Sequence, residues 1–505
     1  MMEEMIPVTY RPLLAILCPA IGSILIVLCG KWPNIREAWT LLASILQFLF
    51  IFSMVPVVIG GNIIRSTLFT AFPGVDFGFR VDAFGLIFAI TSTFLWILVS
   101  SYSIGYMRSL HEHAQTRYYF CFAWAIFGAV GIALSGNLLT MFVFYEILTV
   151  STYPLVAHDQ TPEALFAGRK YLAYLLTAGV FFLAAVILTY HLTGTTEFVN
   201  GGIPNLAAEA SRTTLMVLFM LFLLGFMKAA WMPFHSWLPT AMAAPTPVSA
   251  LLHAVAVVKA GVFGIIRVVC FIFGVDLMHA LGLGLVLISI AIFTLIVANL
   301  FALAQDNLKK RLAYSTINQL SLIIFGAALL TPEGIEGAMM HIPFHGFMKI
   351  TLFMCAGAIM VASGKRNISD MAGIGRVMPV TMIAFTIGSL GMCALPPTAG
   401  YITHHFFVHG CVEAGGTTSY FPYILLIVAM LDVMYFFPII YTAFFEHTQE
   451  QEEGENSIKE APLFMLVPIA ITAICSIIFF FYPDMFHISK LVETAVTSLF
   501  GGAHP

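Results

Sequence analysis

Long apolar runs separated by short polar connections follow one another from near residue 12 to near residue 482. A run of about 18 or more apolar residues is long enough to cross a bilayer as a helix. The pattern predicts fourteen such spans, at about 12–30, 38–59, 83–106, 118–135, 137–157, 165–192, 213–239, 245–271, 276–303, 311–330, 336–362, 377–410, 420–445 and 461–482. Residues 68–82, LFTAFPGVDFGFRVD, alternate with a period of two around Pro73-Gly74, which predicts a small extracytoplasmic hairpin. The acidic run 446–460, EHTQEQEEGENSIKE, reads as a solvated connection. No linker divides the chain, so one membrane domain is expected over 1–505.

Composition agrees and narrows the function. Of 505 residues, 60% are hydrophobic and 10% charged, and the mean hydropathy is +0.95. The apolar runs recur to the C-terminal end, so a cleaved signal peptide does not account for them. The net charge of −4 is nearly neutral for this length, and nucleic acid is not an expected partner. The eight cysteines are scattered without a C-x-x-C pair, which fits apolar packing residues rather than iron–sulfur ligands. No G-x-G-x-x-G or G-K-[ST] phosphate loop occurs. The expectation is a chain with no cofactor and no redox centre of its own.

Positive charge sets an expected topology. With the N-terminus outside, thirteen Lys and Arg fall in cytoplasmic loops and helix ends, whereas six (Arg11, Arg65, Arg80, Arg212, Arg267 and Lys490) fall outside. That bias fits the positive-inside rule for a cytoplasmic (inner) membrane protein with both termini extracytoplasmic. The three remaining basic residues, Lys228, Lys259 and Lys349, lie inside predicted spans, as do Glu146 and Asp432 among the acids.

Those residues carry the candidate chemistry. A lysine at the centre of a membrane helix costs roughly 2.5–3.5 kcal/mol on insertion scales. Lys228 closes an uncharged run, Thr213 to Met227, and Pro233 follows five residues later. Pro233 has no N–H and its ring presses on the carbonyl of Ala229, so the seventh span should break beside a buried amine. Bare backbone at membrane depth is tolerated only inside protein or against water, which makes the break a candidate ion or proton site. Pro245, Pro247 and Ser249 then open a helix carrying His253 and Lys259, whose six-residue spacing puts them on different faces. Glu146 is the lone charge of the fifth span, and a buried carboxylate must be paired or protonated. It reads either as a structural ion pair or as the partner that sets the proton affinity of Lys228. His341, His345 and Lys349 recur every four residues and share one face of the eleventh span. The stripe reads as a proton relay. Two histidines at i and i+4 also suit zinc, but carboxylate and cysteine ligands at suitable spacing are missing, so no metal is expected there. Pro396 and Pro397, followed by Thr398-Ala399-Gly400, predict a second broken helix in the twelfth span. His404, four residues after Gly400, is its candidate titrating group, with His405 and Asp432 as substitutes.

These motifs carry a resemblance. The run A-A-P-T-P-V-S-A-L-L-H at 243–253, V-K-A-G at 258–261, Y-E-I-L at 145–148 and D-N-L-K-K-R-L-A-Y-S-T-I-N-Q-L-S-L-I at 306–323 hold its residues. They resemble the signature of the proton-pumping membrane subunits shared by respiratory complex I, membrane-bound hydrogenases and Mrp-type sodium/proton antiporters. The resemblance covers roughly residues 80–410. It implies an all-α polytopic fold with two inverted five-helix repeats, 118–271 and 276–445, whose helices 7 and 12 are broken. Residues 1–110 would supply N-terminal helices and the hairpin, and 461–482 the last helix. It further implies that Glu146 pairs with Lys228, that Lys349 lies on a central hydrophilic axis, and that His253 and Lys259 link the first site to that axis. Relatives carry lysine or glutamate near the position of His404, as a proposed exit-side site, so histidine is a departure. The chain stops soon after the last span, and the long lateral helix of the largest complex I subunit is not expected.

The expected function is proton translocation in a multisubunit membrane complex, with other membrane subunits as partners and protons and sodium as the ions. Arg169-Lys170-Tyr171-Leu172 leans toward the D-like pumping chain of Mrp-type cation/proton antiporters. The alternative is the ion-pumping subunit of a membrane-bound hydrogenase or complex I-like oxidoreductase. A second alternative is the membrane partner of an inorganic carbon uptake system. A plain solute carrier is disfavoured, because no motif recognises a substrate.

Overall fold

The computed structural model describes residues 10–446 and 458–501, so 447–457 of the predicted acidic connection lie outside the described residues. Helices α1 (Arg11–Leu28) and α2 (Pro33–Phe52) lead into an antiparallel hairpin of β1 (Ile64–Phe72) and β2 (Val75–Val81). Its register pairs Ile64 with Val81 and Phe72 with Val75, about the Pro73-Gly74 turn that the alternation predicts. The bundle continues with α3 (Ala83–Ser109), α4 (Gln115–Leu134), α5 (Leu138–Val156), α6 (Pro162–Thr193) and α7 (Arg212–Gly225). After an irregular stretch come α8 (Thr246–Ala250) and α9 (Val257–Arg267), then α10 (Leu283–Leu303), α11 (Leu308–Ala328) and α12 (Pro332–Ser363). Helices α13 (Pro379–Met392), α14 (Ala399–Ala414), α15 (Phe421–Phe445), α16 (Leu463–Phe481) and α17 (Ile488–Phe500) complete it.

Local sequence explains where these helices start. Side-chain oxygens of Asn137, Thr161, Asn307 and Thr331 accept hydrogen bonds from the backbone N–H three residues on, at 2.9, 3.2, 3.1 and 3.2 Å. Each satisfies an N–H that the first helical turn leaves free. The proline after each capping threonine starts its helix without needing an N–H. Gly194 and Gly364 end the same two helices in the left-handed conformation. These features recur at one offset: Asn137 and Asn307, Thr161 and Thr331, and Gly194 and Gly364 are each 170 residues apart. Isolated bridges join Asn137 to Glu197 and Asn307 to Asn367, again with the same offset.

Among the described residues, ten helices are long and apolar enough to cross a membrane, and an eleventh if Val257–Phe273 and Val275–Leu281, bent by 89°, form one span. The predicted fourteen is not reached by this measure. Arg212–Gly225 and Pro379–Met392 are apolar but short, because helix breaks cut the seventh and twelfth spans. Large apolar side chains such as Leu14, Ile21, Val180, Ile187, Phe293 and Met430 face outward, whereas Lys228, Lys259, His341, Lys349 and Asp432 are buried. This is the arrangement a bilayer selects. The long helix α12 is the central strut and packs against α3, α8, α11, α13, α14 and α16.

Arg80 and Arg267, counted among the basic residues of the outer side, are buried within the protein. They surround Asp82, with Arg267 Nη1 and Nη2 donating to its two oxygens at 2.6 and 2.7 Å. The eighth span is not a continuous helix: a π-helical turn, Leu251–Val255, separates α8 from α9. Helix α17 lies beyond the last predicted span. Ile488, Leu491, Val492, Ala495 and Val496 make its buried face, too short and amphipathic to register as a span.

Candidate functional site

The break in the seventh span begins at Phe226, earlier than Pro233 alone requires, because α7 ends at Gly225 and a short 3₁₀ turn, Met227–Ala229, follows. The carbonyls released there are satisfied by indoles: Trp231 Nε1 donates to Leu223 O and Trp237 Nε1 to Met227 O, both at 3.2 Å. The Met232 N–H donates to Thr294 Oγ1 at 3.1 Å. Lys228 is fully buried in this break. Its Nζ donates to the Tyr145 carbonyl at 2.6 Å and sits 3.2 Å from the centre of the Tyr145 ring.

The expected direct pair between Lys228 and Glu146 is not formed. Among the described residues, no ion pair within 4.0 Å involves Glu146, Asp432, Lys228, Lys259 or Lys349. Successive helical residues point about 100° apart, so when Tyr145 faces Lys228, Glu146 looks away. Its carboxylate lies along an apolar groove with Phe120, Trp124 and Phe142. Oε1 is buried without a hydrogen-bond partner. Gly179 of α6 leaves room for it where it lies, since a Cβ there would push the carboxylate aside. The charge of Lys228 still acts on Glu146 across the helix.

A second group of side chains is gathered around α12. Lys259 Nζ lies 2.6 Å from His345 Nδ1, joining α9 to α12. His341, one turn earlier, has both ring nitrogens engaged: Nδ1 with Thr403 Oγ1 at 2.7 Å and Nε2 with Gln319 Oε1 at 3.0 Å. Gln319 Nε2 donates onward to Asp432 Oδ2 at 3.3 Å, and Asn318 Nδ2 donates to Asp432 Oδ1 at 2.8 Å. Tyr435 also donates its hydroxyl to Asp432. Lys349 Nζ donates to Ser315 Oγ at 2.8 Å. The expected stripe of His341, His345 and Lys349 therefore faces the interior, but its partners come from three other helices. The side chain of His253, in the π turn, lies outside the described residues.

The twelfth span breaks between Met392 and Ala399, as the two prolines predict. His404 is half-buried. Its Nδ1 meets the carbonyl of Gly400 at 3.3 Å, while Nε2 is buried without a hydrogen-bond partner. Its neighbour Thr403 makes the contact with His341. His405 is exposed and lies against His409, with ring centres 4.1 Å apart, so it does not join the network. Asp432 does join it, on the α11 side.

Sequence reasoning missed Tyr145, Ser315, Asn318, Gln319, Thr403 and Tyr435. A signal existed: the tenth span is unusually polar, with Ser315, Thr316, Asn318, Gln319 and Ser321 all buried in α11. At the hairpin end, burial opposes the charge of Asp82. Arg267 and Arg80 more than offset it and hold the carboxyl below the usual carboxylate range.

Fold and site define a multi-pass helical membrane protein whose interior carries a file of titratable and hydrogen-bonding side chains beside two helix breaks. The transmembrane family described as NADH:quinone oxidoreductase/Mrp antiporter matches residues 135–431, and the complex I chain 5 N-terminal family matches 72–119. The first match takes in more than half of the chain, and the protein belongs to that family. It is similar to the A1 subunit of the Na(+)/H(+) antiporter of Staphylococcus haemolyticus, 28% identical over 97% of this chain and 63% of that protein. It is also similar to the corresponding antiporter protein, the A subunit, of Alkalihalophilus pseudofirmus, 29% identical over 93% of this chain and 61% of that protein. The chain thus spans less than two thirds of the length of these relatives. A chain of the Mrp complex from Dietzia sp. DQ12-45-1b has the same fold, with a TM-score of 0.85, 19% identity and 98% of both chains covered. A chain of the membrane-bound sulfane sulfur reductase, an archaeal respiratory membrane complex, gives a TM-score of 0.84 at 25% identity, covering 97% of this chain and 98% of that one.

Proposed function

We propose that this chain is a proton-translocating subunit of a multisubunit complex in the cytoplasmic membrane, with both termini outside, and that it serves cation/proton antiport of the Mrp kind. The observation that carries the reading is the contact between Lys259 and His345, 2.6 Å apart and fully buried on two different helices. A lysine and a histidine at that distance can share one proton but not hold two charges cheaply. A proton arriving at either must displace the one already there. From His345 the stripe continues one turn to His341, and through Gln319 to Asp432; Lys349 lies one turn on the other side.

Lys228 is the first site of this relay. In the proposed scheme, protonation of Glu146 removes its negative field from Lys228 and favours loss of the lysine proton, without direct contact. His404 is the exit-side group, with Nε2 open to accept the proton. A membrane potential of 100 mV is worth about 2.3 kcal/mol per charge, so another chain of the complex or an ion gradient must change these affinities by a similar amount. Names of the relatives supply sodium as the exchanged cation. Arg169-Lys170-Tyr171-Leu172 favours a D-like place in such a complex, whereas those relatives are named as its A-type chains; the reading rests on the family rather than on either branch. A second reading, the pumping subunit of a redox complex, is favoured by the likeness to the sulfane sulfur reductase chain at 25% identity.

The test is sodium-driven proton flux in vesicles holding the whole complex. Lys259→Ala and His345→Ala should assemble normally and lose flux on the order of a hundredfold or more, the size expected of a lost proton-transfer group. Normal flux in either would remove the relay. Flux that needs an electron donor rather than sodium would select the redox reading.

A further inference from the structure

Three side chains from two connections meet at one end of the bundle, apart from the buried file. Glu112 and His113 lie in the short link between α3 and α4, and His158 follows the end of α5. One ligand atom from each lies within 4.8 Å of the other two. Glu112 Oε2 is 3.9 Å from both His113 Nδ1 and His158 Nε2, and the two imidazole centres are 4.8 Å apart.

His158 makes this more than a chance cluster. Its side chain is fully buried, yet neither ring nitrogen has a hydrogen-bond partner. The backbone of His113 comes near the ring without reaching hydrogen-bond geometry. Leaving such a group unsatisfied costs about 1–3 kcal/mol. The residue is nevertheless held in place, because Arg117 Nη2 donates to the His158 carbonyl at 2.9 Å. Glu112 also lines a polar cavity of about 510 Å³, together with the acids Asp159 and Glu163 and the bases Lys309, Lys310, Lys365 and Arg366, so the carboxylate end of the cluster is reached from that cavity.

We propose that Glu112, His113 and His158 bind a divalent transition-metal ion of the zinc class, with a fourth coordination position open to the adjoining cavity. Two imidazoles and a carboxylate are a donor set that zinc accepts, at ligand distances of about 2.0–2.2 Å. Around a tetrahedral ion those distances put ligand atoms about 3.3–3.5 Å apart. The carboxylate therefore needs to close on each imidazole nitrogen by about half an ångström, and the two imidazole nitrogens, within 4.8 Å of each other, by up to about 1.5 Å; His113, whose side chain is 49% exposed, is free to move. Calcium and magnesium are the wrong class, since they prefer oxygen ligands. Glu112 and the nearby Asp159 offset the positive charge of Arg117. A bound ion would clamp the α3–α4 link to the end of α5.

The test uses the intact complex, stripped with a chelator and titrated with Zn²⁺ and with Co²⁺ as a visible reporter. The wild type should take up one more equivalent per copy of this chain than His113→Ala does, with the absorption of four-coordinate Co²⁺. Glu112→Gln should weaken that binding at least about tenfold. His113→Ala carries the test because the His113 side chain is 49% exposed, so its loss disturbs the fold less than loss of the buried His158. Equal metal content and affinity in the wild type and His113→Ala, or no uptake by the wild type, would overturn the assignment.

Discussion

A titratable side chain inside a bilayer must find a partner, and at the core of this protein the partners are mostly neutral. Lys228 uses a backbone carbonyl, Lys349 a serine hydroxyl, and Asp432 two amides and a phenol. A neutral partner holds the group in place while leaving it able to change charge, whereas a tight ion pair would resist losing either charge. His404 shows what is at stake at this scale. One of its nitrogens meets the Gly400 carbonyl and the other is unpartnered. If it is the exit-side group, His404→Gln keeps the first contact and removes titration. Flux in that variant should fall at least about tenfold. Retention of nearly full flux, with an unchanged pH profile, would leave the residue only a backbone-satisfying role.

Between elements, the close approach of backbones decides where the breaks sit. Gly261 of α9 packs directly on the backbone of Lys228 and Ala229, where a Cβ would overlap the chain. This contact couples the helix bearing Lys259 to the break bearing Lys228. Overpacking of this kind costs about 1–3 kcal/mol. Gly261→Ala should therefore lower the melting temperature of the complex and reduce proton flux, although it touches no titratable group. A variant that melts and pumps like the wild type would show that the break can shift without consequence.

Over the whole molecule, the hairpin, α3 and α9 are tied together by Asp82 and Arg267. Asp82 ends the hairpin and caps α3 by accepting from the Gly85 N–H at 2.8 Å. Arg267 lies among the rings of Phe84, Phe198, Phe263 and Phe271, with its guanidinium carbon 4.5–5.1 Å from their centres. Asp82→Asn would leave that guanidinium buried without its counter-charge, a change that costs about 3–5 kcal/mol in buried pairs. Thermal unfolding at neutral pH should show the loss. The pH dependence has a definite sign. The folded carboxyl titrates below its unfolded value of about 3.9, so its contribution is complete above that value and disappears as pH falls through the folded one. Asp82→Asn should flatten the acid limb of the stability profile; an unaltered acid limb would mean that other carboxylates govern it.

The spans, the two proline breaks and the buried lysines were legible in the sequence, because apolar run length, the missing N–H of proline and the cost of a charge in lipid are local properties. The 170-residue recurrence of Asn, Thr-Pro-Glu and Gly is written in the sequence too, but it stands out only once the structure shows these residues capping helices. Tertiary structure alone decided the partners. Periodicity tells which residues share a face of one helix, but not which neighbouring helix that face meets, nor at what depth. A rotation of about 100° per residue exchanges adjacent positions. That is why Lys228 meets Tyr145 rather than Glu146 and why Thr403 rather than His404 reaches His341.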